Sequence, residues 1–244
     1  MIVSRSMDPD WLSNTYLVAD EPGGHAVFID AGGPIEPLLA KAAELDVRVT
    51  HILLTHEHHD HTACMMPLSQ RYGATLIQPE TTPDGTIVRS GSLILRALST
   101  PGHCTPHISW LIEDEQGAPL AAFTGDTLFR GTVGGTLNGG PDGLAQLRSS
   151  ILDVLLALPD ETPLYPGHID ATTVGHERET NPFVHAFLNG PLEPRERVQV
   201  ADTEAELLLE SADYDGGTKV LVRFEDGREA IVGGSLVTHM GASR

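Results

Sequence analysis

Basic residues, cysteine and long apolar runs are all scarce in this 244-residue chain, and each shortage removes a class of function. Only 15 Lys and Arg stand against 34 Asp and Glu, for a formal net charge of -19 at pH 7. A surface of that sign repels phosphate backbones, so no nucleic-acid partner is expected. The two cysteines, Cys64 and Cys104, are too few for a disulfide framework and read as reduced, packed thiols. No run approaches the roughly 20 apolar residues that cross a bilayer, and the segment Met1 to Pro9 has no apolar stretch of signal-peptide length. A cytoplasmic protein without membrane contact is the expectation.

What is present suits a packed globule. Hydrophobic residues make up 40% and charged residues 20% of the chain, values that argue against disorder. The length fits one large domain with a modest appendage. Strands are predicted over residues 15–18 and 25–30, joined by the turn-forming Pro22-Gly23-Gly24. The spacing of Ile35, Leu38, Leu39 and Ala42 predicts a helix over 34–45. A buried strand follows at 49–55, then a helix over 62–72 closed by Gly73.

Short strands are expected at 75–77, 92–98, 108–112 and 121–124, and a helix over 142–158 ends before Pro159. Residues 164–165 read as a strand and 174–188 as a helix interrupted at Asn181-Pro182. The prolines of 190–194 mark a boundary. Beyond it, strands at 219–224 and 229–232 flank a hairpin turn, while 203–210 fits helix or strand equally. The alternation of β and α elements implies a layered α/β fold over residues 1–190, with a small β-rich C-terminal appendage at 191–244.

The chemistry concentrates where the 49–55 strand ends, in His56-Glu57-His58-His59-Asp60-His61. Imidazoles offer borderline-soft nitrogen and the carboxylate hard oxygen, a donor mixture suited to a transition metal. Residues two apart at a strand end share a side, so His56 and His58 can converge, while the turn into a helix redirects Asp60 and His61. His103 after Thr100-Pro101-Gly102, Asp126 in Gly125-Asp126-Thr127-Leu128-Phe129, and His168 after Pro166-Gly167 each follow a predicted strand in a glycine-containing loop.

Together with Ile29-Asp30-Ala31-Gly32, these ordered motifs resemble the metallo-β-lactamase-fold superfamily, and within it the glyoxalase II-like hydrolases. The resemblance spans about residues 14–187. It implies a four-layer αββα sandwich with the metals at one edge. It further implies that His56, His58 and His103 hold one divalent ion, that Asp60, His61 and His168 hold a second, and that Asp126 bridges them. Zinc is the first expectation, with iron or manganese as alternatives. Hydroxide generated between two cations would attack a thioester of an S-hydroxyacyl-thiol type, with Asp60 as the catalytic residue orienting it.

Four side chains near these motifs take humbler readings. His59 reads as a surface residue and His107 as a structural histidine. Asp30 could accept from a ligand imidazole or stabilise its own turn. The glycine-rich run 130–140 lacks the Gly-Lys-Ser/Thr ending of a phosphate-binding loop and reads as a flexible substrate-side loop, with Arg130 either on substrate or simply exposed.

Other functions stay open on the same motifs. Persulfide dioxygenases of this superfamily use one iron, here on His56, His103 and Asp126, but usually carry a Cys-Gly-Arg-Thr-Asp run where this chain has Gly131-Thr132-Val133-Gly134-Gly135-Thr136. Lactonase activity and a non-catalytic binding module are the further alternatives. The expected partner is a small-molecule acyl-thiol substrate, and the appendage is a candidate surface for homo-oligomerisation.

Overall fold

The protein, described over residues 1–240 by a computed structural model, packs its strands into two face-to-face sheets and a third, C-terminal one. In the first sheet β1 (Ile2–Met7), β2 (Asn14–Ala19), β3 (His25–Ile29), β4 (Arg48–Leu53) and β5 (Thr75–Ile77) follow chain order. The second contains β6 (Ile87–Ser90), β7 (Leu93–Ser99), β8 (Ile108–Glu113), β9 (Pro119–Gly125), β12 (Pro163–Pro166) and β13 (Thr172–Thr173), in the order β13-β12-β9-β8-β7-β6. A short hairpin of β10 (Leu128–Phe129) and β11 (Thr132–Val133) leaves the end of β9.

Alternation along each strand produces the layers. In β2, Tyr16 and Val18 face the second sheet and pack with Trp110 and Phe123, while Leu17 and Ala19 face the helical side with Leu38 and Leu68. Both faces of β2 are buried, as a strand in the interior of a layered fold requires. On the far side of the second sheet, Leu111, Ala122 and Leu164 pack against Leu147, Ile151, Phe183 and Phe187. Helix layer, sheet, sheet and helix layer therefore give the expected αββα sandwich. Among the described residues no helix is long and apolar enough to cross a membrane.

The outer helices on one side are α1 (Glu36–Glu44), the single turn α2 (His59–Thr62) and α3 (Met65–Tyr72), which closes on the left-handed Gly73. On the other side lie α4 (Gly143–Ser149), α5 (Val174–Thr180) and α6 (Pro182–Asn189). Asn181 separates the last two and caps α6, accepting from the N–H groups of Phe183 and Val184.

Three expected boundaries move. The 49–55 strand stops at Leu53, because the Thr55 N–H is taken by Asp30 Oδ1 instead of a neighbouring strand. The helix expected from residue 62 splits in two, because Ala31 donates to His61 O and accepts from Cys64 N–H, inserting its own backbone at the break. The 142–158 helix widens after Ser149 into a π-helical turn, Ser150–Leu155, which keeps Ile151 and Leu155 fully buried.

The region left as helix or strand is strand. β14 (Glu196–Val200), β15 (Thr203–Ala212), β16 (Thr218–Phe224), β17 (Glu229–Gly233) and β18 (Val237–His239) form an antiparallel sheet ordered β17-β16-β15-β14-β18, so the last strand returns beside the first. One face has its own core of Val198, Leu207, Val220, Val222 and Val232. The other face sends Leu208, Leu221 and Ile231 into the core beneath the second sheet.

Candidate metal centre

Four connections that leave strand ends meet at one edge of the sandwich: those after β4, β7, β9 and β12. They carry all seven predicted site residues to one place. The donor nitrogens of His56, His58 and His103 lie within 4.8 Å of one another, and so do the donor atoms of Asp60, His61 and His168. Asp126 stands between the two triads. Its Oδ2 is 3.6 Å from His103 Nε2, 4.0 Å from His56 Nε2 and 3.3 Å from His168 Nε2, and its Oδ1 is 3.4 Å from His61 Nε2. Asp60 Oδ2 closes the second group at 3.4 Å from His61 Nε2 and 3.5 Å from His168 Nε2.

Glycine permits this crowding. A Cβ on Gly167 would collide with Asp126 Oδ1 and His61 Cε1, and one on Gly32 with the carbonyl of Asp60. The tight Pro-Gly-His and Ala-Gly turns are therefore steric requirements of the site.

The remote nitrogen of four of the rings is held from behind. His61 Nδ1 is 3.0 Å from Asp30 Oδ2, His103 Nδ1 is 2.8 Å from Gly135 O, His168 Nδ1 is 3.1 Å from Trp11 O, and His56 Nδ1 is 3.0 Å from Thr55 Oγ1. Such partners fix ring orientation and tautomer and leave the inner nitrogens as lone-pair donors. Asp30 thus serves the His61 ring and also accepts from Thr55 N–H. His107 sits behind the site: its Nε2 accepts from Asp126 N–H at 3.1 Å and its Nδ1 faces Thr100 Oγ1 at 3.0 Å. His59 lies at the rim with its ring edge-on to Trp11, 5.3 Å between centroids.

The residues fit a cation better than they fit one another. His58 Nδ1 lies 3.1 Å from His56 Nε2 and 3.0 Å from His103 Nε2, three nitrogens aimed at one point. His61 Nε2 and Asp126 Oδ1 are buried without a hydrogen-bond partner among the described residues. Buried polar atoms left unpaired are costly, and a shared cation would satisfy these together. His56, His58 and His103 could hold one ion, Asp60, His61 and His168 another, with Asp126 available to both.

Electrostatics favour donor states at His56, His103 and Asp126, whereas the His61 ring carries a proton at pH 7 that a bound cation would displace. Burial lowers His56 and His103 below the ordinary imidazole range, and lowers His107 to about 3, so these rings are neutral at pH 7. Burial alone would raise Asp126, but His168 and His61 overcome it and hold the carboxyl well below the usual carboxylate range. At His61 the desolvation that favours the neutral ring is outweighed by Asp126, Asp30 and Asp60, which raise it to about 9. Burial lifts the Cys104 thiol to about 12, in keeping with packing and not nucleophilic use.

The glycine-rich run 130–140 departs from the flexible loop expected. Thr132, Val133 and Thr136 are buried, Gly134 leaves no room for a Cβ beside the Asp126 carbonyl, and Gly135 O holds His103. Arg130 is exposed. Sequence reasoning also missed Tyr214, whose ring stacks on His168 at 4.4 Å between centroids and 19° between planes. No motif pointed to it, because it comes from the turn between β15 and β16.

Comparison with known proteins agrees with this frame. The sequence profile of the Metallo-beta-lactamase superfamily matches residues 8–83, the stretch that holds β2 to β5 and the His-x-His-x-Asp-His run. Hydroxyacylglutathione hydrolase GloC of Haemophilus influenzae is 32% identical over 203 residues, covering 71% of this chain and 93% of that protein. The crystal structure of ETHE1 from Myxococcus xanthus superimposes with a TM-score of 0.65 at 34% identity, over 78% of this chain and 92% of that one. TTHA1623 in a di-iron-bound form does so with a TM-score of 0.59 at 30% identity, over 74% and 99%. With the superfamily profile matched and relatives above 30% identical covered over most of their length, the chain belongs to the metallo-β-lactamase superfamily.

Proposed function

We propose that this protein is a binuclear metallo-hydrolase that cleaves a thioester of a low-molecular-weight thiol. The observation that carries the reading is Asp126, a carboxylate with imidazole nitrogens of both triads at 3.3–4.0 Å from its two oxygens. When bound, two divalent ions would supply an acidified water and a Lewis acid for the acyl carbonyl. Zinc is the metal proposed, and the mixed nitrogen and oxygen donors also suit iron or manganese.

The chain's own groups divide the remaining work. Asp30, Gly135 and Trp11 hold the ligand rings so that their inner nitrogens point inward. His107 fixes the Asp126 backbone. Asp60 is the site carboxylate more open to solvent, its side chain 25% exposed against 8% for Asp126, and its assigned role beside holding an ion is to orient the attacking water. The thioester assignment draws on the relative from Haemophilus influenzae, whose name states hydrolysis of a hydroxyacyl glutathione.

The alternative, a mononuclear-iron persulfide dioxygenase built on His56, His103 and Asp126, leaves Asp60, His61 and His168 without a task. His61 and His168 both approach the Asp126 carboxylate and Asp60 meets the two rings, which supports a second ion. The test is elemental analysis of metal per chain, paired with assays for thioester cleavage and for sulfite formed from a thiol persulfide under oxygen. Two metals with thioester turnover support the proposal. One iron with oxygen consumption and sulfite replaces it with the dioxygenase.

A further inference from the structure

The β-rich module beyond residue 191 touches the candidate metal centre at two places, one behind each triad. On the side of the second triad, Tyr214 lies face to face with His168 and edge-on to Phe129, with centroids 5.1 Å apart. The turn that presents Tyr214 is not free. Asp213 Oδ2 meets Lys219 Nζ at 3.0 Å in an ion pair with side chains only 5% and 8% exposed, and Lys219 Nζ stands 5.3 Å from the centre of the Tyr214 ring. Asp213 Oδ1 accepts from Tyr214 N–H and Asp213 N–H donates to Gly217 O. A buried ion pair thus clamps the turn, and the aromatic ring is held between a cation and the His168 imidazole.

On the side of the first triad, Ile231 of β17 makes a reciprocal pair of bonds with Thr136. Thr136 N–H donates to Ile231 O and Ile231 N–H donates to Thr136 Oγ1, both at 2.9 Å. The adjacent carbonyl, Gly135 O, is the one that orients His103. The Ile231 side chain enters the same buried cluster as Leu128 and Val133, which flank the Asp126 loop.

We infer that the C-terminal module is a working wall of the metal centre, in which Tyr214 positions His168 and the Ile231–Thr136 pair positions His103. The inference rests on the metal-centre reading above. Neither Tyr214 nor Thr136 is a ligand; each is a positioning residue acting through a ring that is. Residues that orient ligand imidazoles change metal retention when removed, so the effect is to be read on the metal itself.

The experiment uses the full chain loaded with zinc, and follows zinc release to a chromogenic chelator alongside thermal unfolding. Tyr214→Ala is expected to speed release of one of the two ions by about tenfold, and Tyr214→Phe, which keeps the stacked ring, to restore the slow rate. Thr136→Val is expected to speed release of the other ion. Tyr214→Leu keeps apolar bulk without an aromatic face and serves if the alanine variant does not fold. Folded Ala or Leu variants with wild-type release of both ions overturn the inference while leaving the metal centre intact. A wild-type chain that takes up no divalent metal overturns the metal-centre reading and the inference with it.

Discussion

Replacing Asp126 by asparagine keeps the shape of the side chain and removes its charge, which isolates what the carboxylate does. Its oxygens lie 3.3–4.0 Å from the inner nitrogens of His56, His61, His103 and His168, so an ion held by either triad sits against it. A unit charge pair about 4 Å apart is worth about 4 kcal/mol at an effective dielectric of about 20. A divalent ion doubles the gross attraction and desolvation of the buried carboxylate takes part of it back, so about 4 kcal/mol is the working magnitude. That corresponds to about a thousandfold in affinity. Dialysis against a chelator that leaves the wild type loaded should strip Asp126→Asn, and thioester turnover should fall with the metal content. A variant that keeps two metals per chain and wild-type turnover would refute the bridging role.

The remaining expectations concern the groups around that carboxylate. In chelator-stripped protein, His61 is raised from its unfolded value near 6.5 to about 9, so the stability it contributes is complete below about pH 6.5 and is lost as pH rises through 9. The neutral His56, His103 and His107 act in the opposite sense: their folded values are depressed, so stability falls as pH drops below about 6.5. Thermal unfolding of the stripped protein against pH should therefore peak near neutrality, and a monotonic rise from pH 6.5 to 9 would contradict the placing of His61. Asp30→Asn should lower affinity at the second triad by about 10–100-fold, measured by competitive titration, because it removes the acceptor that sets the His61 ring. Gly167→Ala forces a Cβ against Asp126 and His61; overpacking of this kind costs about 1–3 kcal/mol, and the ion bound there should be lost at a temperature where the chain is still folded by circular dichroism.

The candidate metal site was legible as a cluster because its information is local. Donor types recur within six residues of one strand end, and His103, Asp126 and His168 each follow a short glycine-bearing turn, so the sequence shows both the chemistry and the loops that bear it. Layer order was legible in outline, since alternation and helical spacing report burial. What residues 203–210 would become was not, because a short apolar run fits either period and only pairing with β14 and β16 decides it.

The supporting contacts were hidden for a different reason. Ile231 and Thr136 are 95 positions apart, and the pairing of Tyr214 with His168 crosses the boundary that the prolines at 191 and 194 suggest. A run rich in glycine looks mobile in isolation; here a Cβ on Gly134 would strike the Asp126 carbonyl, Gly135 O holds His103, and the neighbouring Thr136 is fixed by a strand of the C-terminal module. Gly134 and Gly139 are thus marks of close packing, while Gly131 and Gly140 serve positive-φ turns in open space. A boundary drawn from chain composition marks where the architecture changes, while the cluster shared by Leu208, Leu221 and Ile231 with Leu147 and Ile151 shows that the hydrophobic core does not stop there. Any account of how the His168 and His103 rings are held therefore has to include residues from both sides of position 191.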